Sequence, residues 1–418
     1  MRRTRLLQYE EFTSFLSSLM AILAGLLVGL VILLISNAED AFPAFLTILK
    51  GGFTDGTKGL AQVIYFAIPI IMTGLSVGFA FKTGLFNIGA SGQFTMGAFV
   101  AIYIGIKWTF VPEGIHWLVA LLGAMAAGAV WGSGPGILKA FFNVNEVITS
   151  IMMNYIGMYL VNMSIVKTVY DSLKNQTKPV LKSAVLPKAG MDKLFNTSNV
   201  SIGIFIVILA VIVIYIILQK TTFGYELKAC GSNKEASRYA GINEKKSLIL
   251  SMVIAGALSG LGGGLLYLSG SGKYIHVLDV LAPEGFSGIS VALLGMSHPI
   301  GVFLAGLFIA HLEVGGFNIQ LYNFVPEIID MIIAVIIYCG AFALLFKQII
   351  KRLLFKPVEE KAQDVKEPVK SSVISDDDYP VKPDVEEGIQ TEMGAGNESP
   401  VVDTKTEEND TVQREEDI

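Results

Sequence analysis

The chain has 418 residues, of which 52% are hydrophobic and only 16% charged, and its mean hydropathy is +0.59. Soluble proteins carry about a quarter charged residues, so this balance excludes an ordinary soluble enzyme and points to a bilayer protein. The formal charge of −5 averages two unlike regions. Residues 356–418 hold 19 acidic and 7 basic side chains, a net of −12, which leaves residues 1–355 at +7.

The chain begins with Arg2, Arg3 and Arg5 ahead of a 24-residue apolar run over 12–35. A signal-peptide core spans ~7–15 residues, so this run is expected to stay as a first span. A span needs ~20 mostly apolar residues. On that basis ten membrane segments are expected, at 12–36, 59–81, 93–111, 117–138, 147–169, 201–218, 247–269, 286–296, 300–312 and 328–346. The fold class is therefore all-α, a polytopic transmembrane helical bundle with broken or re-entrant pieces. The eighth and ninth segments are too short to cross alone, and Pro299 after His298 favours a break there, because proline removes a helix donor.

Two glycine rows mark helix faces. Gly128, Gly132 and Gly136 repeat every four residues, as do Gly256, Gly260 and Gly264. Small residues at that spacing let backbones approach closely. They either hold the bundle together or, in the 256–264 row, slide during gating.

Residues 84–98, Gly-Leu-Phe-Asn-Ile-Gly-Ala-Ser-Gly-Gln-Phe-Thr-Met-Gly-Ala, interrupt the apolar pattern with four polar uncharged side chains and four glycines. Polar groups at membrane depth are costly unless they face protein or water, and glycine lets the backbone turn. A broken or re-entrant helix beside a solute route follows. Candidate lining residues are Asn87, Ser91, Gln93 and Phe94, joined by Asn154 and Asn162, which are eight apart and share one face of the fifth span. Asn154 serves equally as an interhelical hydrogen-bonding group. Phe86, Phe94 and Tyr155 are aromatic enough to stack on a solute ring, but packing is the commoner use. Asn145 and Glu146 read as a helix cap and a dipole partner.

Residues 220–246 are an island of charge between apolar runs. Ser232 and Glu235 have capping-box spacing, and Gly241 followed by Ile242 suits a left-handed helix stop. A single short helix is expected there. The 167–199 loop carries six lysines. Lys/Arg bias places both termini and the 220–246 loop in the cytoplasm. After residue 356 there is no apolar periodicity, and the acidic segment 356–418 is expected to be a disordered cytoplasmic tail.

Several chemistries find no support. Cys230 and Cys339 make no disulfide framework. His276, His298 and His311 lack metal-ligand spacing, no nucleophile–base arrangement stands out, and nothing suggests a nucleic-acid partner. There is no Gly-x-x-x-x-Gly-Lys-Ser/Thr loop, so any ATP-driven step needs an ATPase on another chain. Glu284, Glu313, Glu327 and Asp330 all fall near expected span ends, which disfavours the competing reading of an ion-coupled secondary transporter. A membrane scaffold would leave the broken polar segment and the capped loop unexplained.

The run Leu85-Phe86-Asn87-Ile88-Gly89-Ala90, with Gly92-Gln93 just after it, resembles the motif of membrane permease subunits of bacterial ABC importers for ribose, nucleosides and branched-chain amino acids. It is most similar to the nucleoside and simple-sugar branch. Glu235-Ala236-Ser237 with Gly241 is similar to the Glu-Ala-Ala-x-x-x-Gly motif of the coupling helix, with Ser237 in place of the second alanine. The family's downstream Leu-Pro is missing here. The resemblance covers residues 58–346. It implies a permease domain over 1–355 that works by alternating access in a bacterial cytoplasmic membrane. Ala236, Tyr239, Ala240, Gly241 and Ile242 would then contact a separate ATPase that binds ATP and magnesium. An extracellular solute-binding lipoprotein and a second homologous permease would complete the assembly, surrounded by membrane lipid. Nucleosides come first as the solute, then simple sugars, then riboflavin-like molecules.

Overall fold

Each of the ten expected segments contains a helix in the computed structural model, which describes residues 2–349 apart from 196, 198, 199, 326, 343, 344, 346 and 347. The expected acidic tail over 356–418 lies outside the described residues. In chain order the elements are α1 (Arg2–Ser36), α2 (Ala41–Lys50), α3 (Thr57–Phe81), α4 (Ala90–Lys107), α5 (His116–Phe142), α6 (Glu146–Thr168), the two-residue strands β1 (Tyr170–Asp171) and β2 (Gln176–Thr177), α7 (Met191–Phe195), α8 (Gly203–Lys220), α9 (Thr222–Ser232), α10 (Lys234–Tyr239), α11 (Glu244–Tyr267), α12 (Pro283–Leu294), α13 (Pro299–Asn318) and α14 (Glu327–Ala341). Among the described residues, six helices are long and apolar enough to span a membrane: α1, α3, α5, α8, α11 and α13. The remaining segments are shorter or more polar.

α8 shows why these runs are helical. Its Ile- and Val-rich sequence has high strand propensity, but in lipid every backbone group must bond within its own segment, which leaves a single span no option but the helix. Burial separates centre from rim. The α3 span is 83% buried and α11 67%, whereas α1 and α5 are 28% buried and α8 33%. α3 and α11 are the core posts, and the outer helices turn apolar side chains such as Leu27, Val130 and Leu209 outward.

The two glycine rows face each other. A Cβ on Gly260 would sit 2.9 Å from the Gly128 Cα, and one on Gly132 would sit 3.0 Å from the Gly256 Cα. The opposite face of Gly260 is met by Gly97 on α4. These rows are therefore the packing seam of α4, α5 and α11. α1 uses the same device, laying Gly25 and Gly29 against Ile336 and Ile332 of α14.

Two ends of the bundle are defined by hydrogen bonds and charges. At one end the chain after the β1–β2 ribbon meets the ends of α4 and α11, through Leu181 N–H to Gly105 O and Leu186 N–H to Leu268 O, while the ribbon itself bonds the segment after α11 through Thr177 N–H to Ile275 O. At the other end, Lys139 pairs with Glu146 at 2.9 Å, and the Lys245 ammonium lies 5.1 Å from the Phe141 ring centroid. Asn145 caps α6 as expected, accepting from Val147 N–H at 2.8 Å and Ile148 N–H at 3.4 Å, an arrangement worth ~1 kcal/mol.

Three features depart from the sequence reading. α2 was not expected: it is a ten-residue amphipathic helix that buries Ala41, Ala44 and Ile48, too short to register as a span. The break at His298-Pro299 is present, with His298 preceding Pro299 at the start of α13. However, α13 runs 20 residues to Asn318 and is long enough to cross. Glu313 consequently lies inside a helix rather than beyond its end. α12 is the true half-span: its 12 residues extend only ~18 Å at 1.5 Å per residue, against ~30 Å of hydrocarbon.

Candidate functional site: a broken segment, a polar cleft and a docked helix pair

α3 ends at Phe81, and the chain turns through Lys82–Gly84, with Gly84 at φ +74°. Residues 85–87 are non-helical, and α4 starts at Ala90. The expected break is thus an extended entry into the bundle followed by a helix that begins inside it. Its free backbone groups and polar side chains satisfy one another. Asn87 Nδ2 donates to Gln93 Oε1 at 2.9 Å and Gln93 Nε2 donates back to Asn87 Oδ1 at 3.1 Å, with Ser76 Oγ 3.2 Å from Asn87 Nδ2. From α6, Asn154 accepts from Gly92 N–H at 2.8 Å and donates to Ile88 O at 3.0 Å. Ser259 of α11 donates to Ala90 O at 2.7 Å.

Asn87, Ser91, Gln93, Phe94 and Asn154 are therefore brought together, each at most 1% exposed. The polar members act as staples in this conformation. Asn154 takes its interhelical option. Asn162, on the same helix face, is about two turns further along and bonds elsewhere, to Leu278 O at 3.0 Å and Asp279 Oδ1 at 3.2 Å. Phe86 stacks on Phe81 at 5.1 Å between ring centroids, and Tyr155 is exposed.

Ser91 also reaches across to the half-span. Its hydroxyl donates to Ala282 O at 2.8 Å, and Thr73 Oγ1 donates to Glu284 O at 2.8 Å. Thr73 lies eight residues before the end of α3, ~12 Å along its axis. The N-terminus of α12 is thus inside the bundle, and Glu284, though at a helix end, is not at a membrane boundary as the sequence suggested. Its carboxylate pairs with Lys273 at 2.7 Å, which offsets the cost of burying either charge alone.

Between α4, the extended 273–282 segment and the α12 N-terminus lies a cleft of about 270 Å³. Phe94, Tyr267, Tyr274, Lys273, His276 and Glu284 contribute to its walls. Phe94 is the one expected route residue on it. Lys273 and Glu284 were not singled out as lining residues, because sequence spacing gives no sign that two charges 11 residues apart meet inside the bundle.

At the opposite end, the 220–246 island folds as two helices, not one. Thr221 caps α9 by accepting from Gly224 N–H. α10 is capped by Asn233, whose side chain accepts from Ala236 N–H at 3.0 Å. Ser232, the expected cap, is instead the last residue of α9, because the preceding helix uses it. The stop is as expected: Gly241 has φ +81°, Gly241 N–H bonds Arg238 O, and Ile242 N–H bonds Ser237 O, the paired bonds of a Schellman motif. Ser237 faces inward, with its hydroxyl 3.5 Å from Cys230 Sγ. Glu235, Ala236, Tyr239, Ala240 and Gly241 are exposed, Tyr239 at 92%; Ile242 is partly covered. α9 in turn seats Gly231 on the Lys82–Gly84 turn. Burial, and then the Lys228 ammonium, push the Lys82 ammonium below its ordinary range.

With that geometry in hand, the comparisons are specific. Residues 59–341 match the family described as branched-chain amino acid transport system / permease component. The chain is 38% identical to the guanosine ABC transporter permease protein NupP of Bacillus subtilis, covering 78% of this chain and 93% of that protein. It is 36% identical to the nucleoside ABC transporter permease protein NupB of Lactococcus lactis, over 77% and 88%, and 32% identical to the glucose ABC transporter permease protein TsgB13 of Haloferax volcanii, over 76% and 84%. No solved structure matches the chain. A match over residues 59–341, which carry both the broken segment and the capped helix pair, shows that the chain belongs to the branched-chain amino acid transport system permease family and is a multi-pass membrane permease subunit of an ABC transporter.

Proposed function

We propose that this permease carries nucleosides into a bacterial cell, driven by a separate ATPase that docks on α10. The observation that carries the mechanism is the exposed, doubly capped α10, whose partner helix α9 sits directly on the turn that leads into the broken segment. ATP-driven closure of the ATPase pair would move α9–α10, and through Gly231 and Gly84 the entry to α4. The chain's own residues hold no nucleotide.

In this reading α9 and α10 are cytoplasmic, as are both chain termini, and the β1–β2 end faces outward to receive a solute-binding lipoprotein. A second, homologous permease completes the solute route, and membrane lipid surrounds the outer helices. Nucleosides are preferred over sugars because the guanosine and nucleoside permeases are the more similar relatives. Asn87, Ser91, Gln93 and Asn154 then hold the wall of the route, and Phe94 faces the cleft.

The test is uptake of radiolabelled guanosine, uridine and ribose by cells with and without this gene. Loss of nucleoside uptake with ribose uptake intact is expected. Nucleoside uptake that survives ATP depletion with ion gradients preserved would exclude the ATP-driven mechanism.

A further inference from the structure

The Lys273–Glu284 pair is placed for more than charge neutralisation. Both side chains line the same cleft, at 37% and 15% exposure. The Lys273 ammonium, 2.7 Å from Glu284 Oε1, also sits 5.9 Å from the Tyr267 ring centroid. An ammonium has three donors and a carboxylate about four acceptor positions, so each keeps capacity after pairing with the other. The frame behind Glu284 is fixed. Thr73 and Ser91 bond the carbonyls of Glu284 and Ala282, and Gly285 packs directly on the Ser91 backbone. Rigid backing of this kind is what a recognition group requires. Phe94, Tyr267, Tyr274 and His276 add flat rings around the polar pair.

Resting on the nucleoside reading above, we infer that Lys273 and Glu284 form a base-recognition site for guanine nucleosides inside the permease. The order of groups is one donor beside a two-oxygen acceptor. Guanine presents the complementary edge: the O6 carbonyl accepts from the lysine, and the N1–H and N2–H groups donate to the carboxylate. Lysine to guanine O6 is an established pairing, and charged partners strengthen each bond. Hypoxanthine lacks the N2 amino group and loses one contact. Adenine, in whichever orientation it enters, offers one amino donor and one ring acceptor, so it also falls short of three contacts. A site built to bond a substrate N–H rejects the analogue that lacks it, because its own buried groups are left unpaired.

The experiment uses the complete transporter in cells, with uptake of guanosine, inosine and adenosine measured in parallel. The binding protein is the same throughout, so a change in ratio reports on the permease. Glu284→Gln replaces one acceptor oxygen with a donor and is expected to lower the guanosine-to-inosine ratio roughly tenfold. The charge swap Lys273→Glu with Glu284→Lys keeps an ion pair but reverses its order. It is expected to restore permease level in the membrane without restoring the guanosine preference. Full recovery of guanosine preference in the swap would show a purely structural ion pair and overturn the inference. If Glu284→Gln stops all uptake, guanosine- and inosine-induced thermal shifts of the purified complex give the same ratio, and an unchanged ratio there also overturns it. Absence of any nucleoside uptake by the wild type sinks the nucleoside reading itself, a result distinct from an unchanged ratio.

Discussion

Gly84 and Gly231 meet with no side chain between them: a Cβ on Gly84 would lie 3.3 Å from the Gly231 Cα, and one on Gly231 would run into the Lys82 carbonyl. The contact joins the α9–α10 helix pair, the dock proposed for the ATPase, to the turn that opens the broken segment. Gly231→Val is therefore expected to lower nucleoside uptake about tenfold, the equivalent of ~1.4 kcal/mol of misfit, while the ATPase still co-purifies. Transport and ATP hydrolysis measured together in proteoliposomes check this. Unchanged uptake would show that α9 and the turn move independently.

Tyr239 separates docking from folding. It is 92% exposed, so Tyr239→Ala should shift the stability of the purified permease by no more than about 0.5 kcal/mol. Co-purification of the ATPase should drop sharply. Gly241→Ala provides the converse case. No atom lies within 4 Å of a Cβ there, so the change adds no clash, but holding alanine at φ +81° costs ~1–2 kcal/mol, which should fray the end of α10. A thermal unfolding scan beside a pull-down distinguishes the two variants.

The Asn87–Gln93 amide pair is fully enclosed, so losing one partner leaves the other short of bonds. Asn87→Leu is expected to destabilise the permease by ~1–3 kcal/mol. The double variant Asn87→Leu with Gln93→Leu should cost less than the sum of the two single changes, as neighbours in one network do. Thermal unfolding of the four proteins in detergent completes the cycle, and strict additivity would argue against a coupled pair.

Gly128 tests the helix seam. Gly128→Leu would drive a side chain into Gly260, whose Cα lies 2.8 Å from the site of a new Cβ. Loss of the protein from the membrane fraction is expected, since overpacking a tight contact costs ~1–3 kcal/mol or more. Gly114→Leu, where a Cβ meets no atom within 4 Å, should accumulate normally.

Local signals in the chain were reliable where the physics is local. Asn145 as a cap, Gly241 as a left-handed stop and the break at His298-Pro299 are each decided by a few neighbouring residues, and each is found. The glycine rows were visible as rows, but their mutual contact depends on how α5 and α11 cross. α9 hid because Thr222–Ser232 is polar and carries two glycines, each of which costs a helix ~1 kcal/mol; close backbone packing at Gly224 and Gly231 needs them there. The same limit applied to the cleft. Glu284 reads as a charge near a span end and Lys273 draws no attention, because nothing in a linear sequence says that α12 begins at the depth of Thr73. The polar residues of 84–98 stand out as a unit, yet the partners of this segment's side chains and backbone, Ser76, Asn154 and Ser259, come from three other helices.

The Gly84–Gly231 contact also bears on how force travels. A long side chain at a joint can yield to a push by changing rotamer, absorbing an ångström or more of displacement before its backbone responds. Two glycines offer no such slack. A shift of α9 arrives at the Lys82–Gly84 turn as a shift of the turn itself, and a few residues later it meets the stapled Asn87 and Gln93. Ser91 then connects that segment to the carbonyl before α12. Such a joint is a stiff linkage rather than a spring, so under the proposed docking of an ATPase on α10 the cleft would move with that partner's stroke and with little lag.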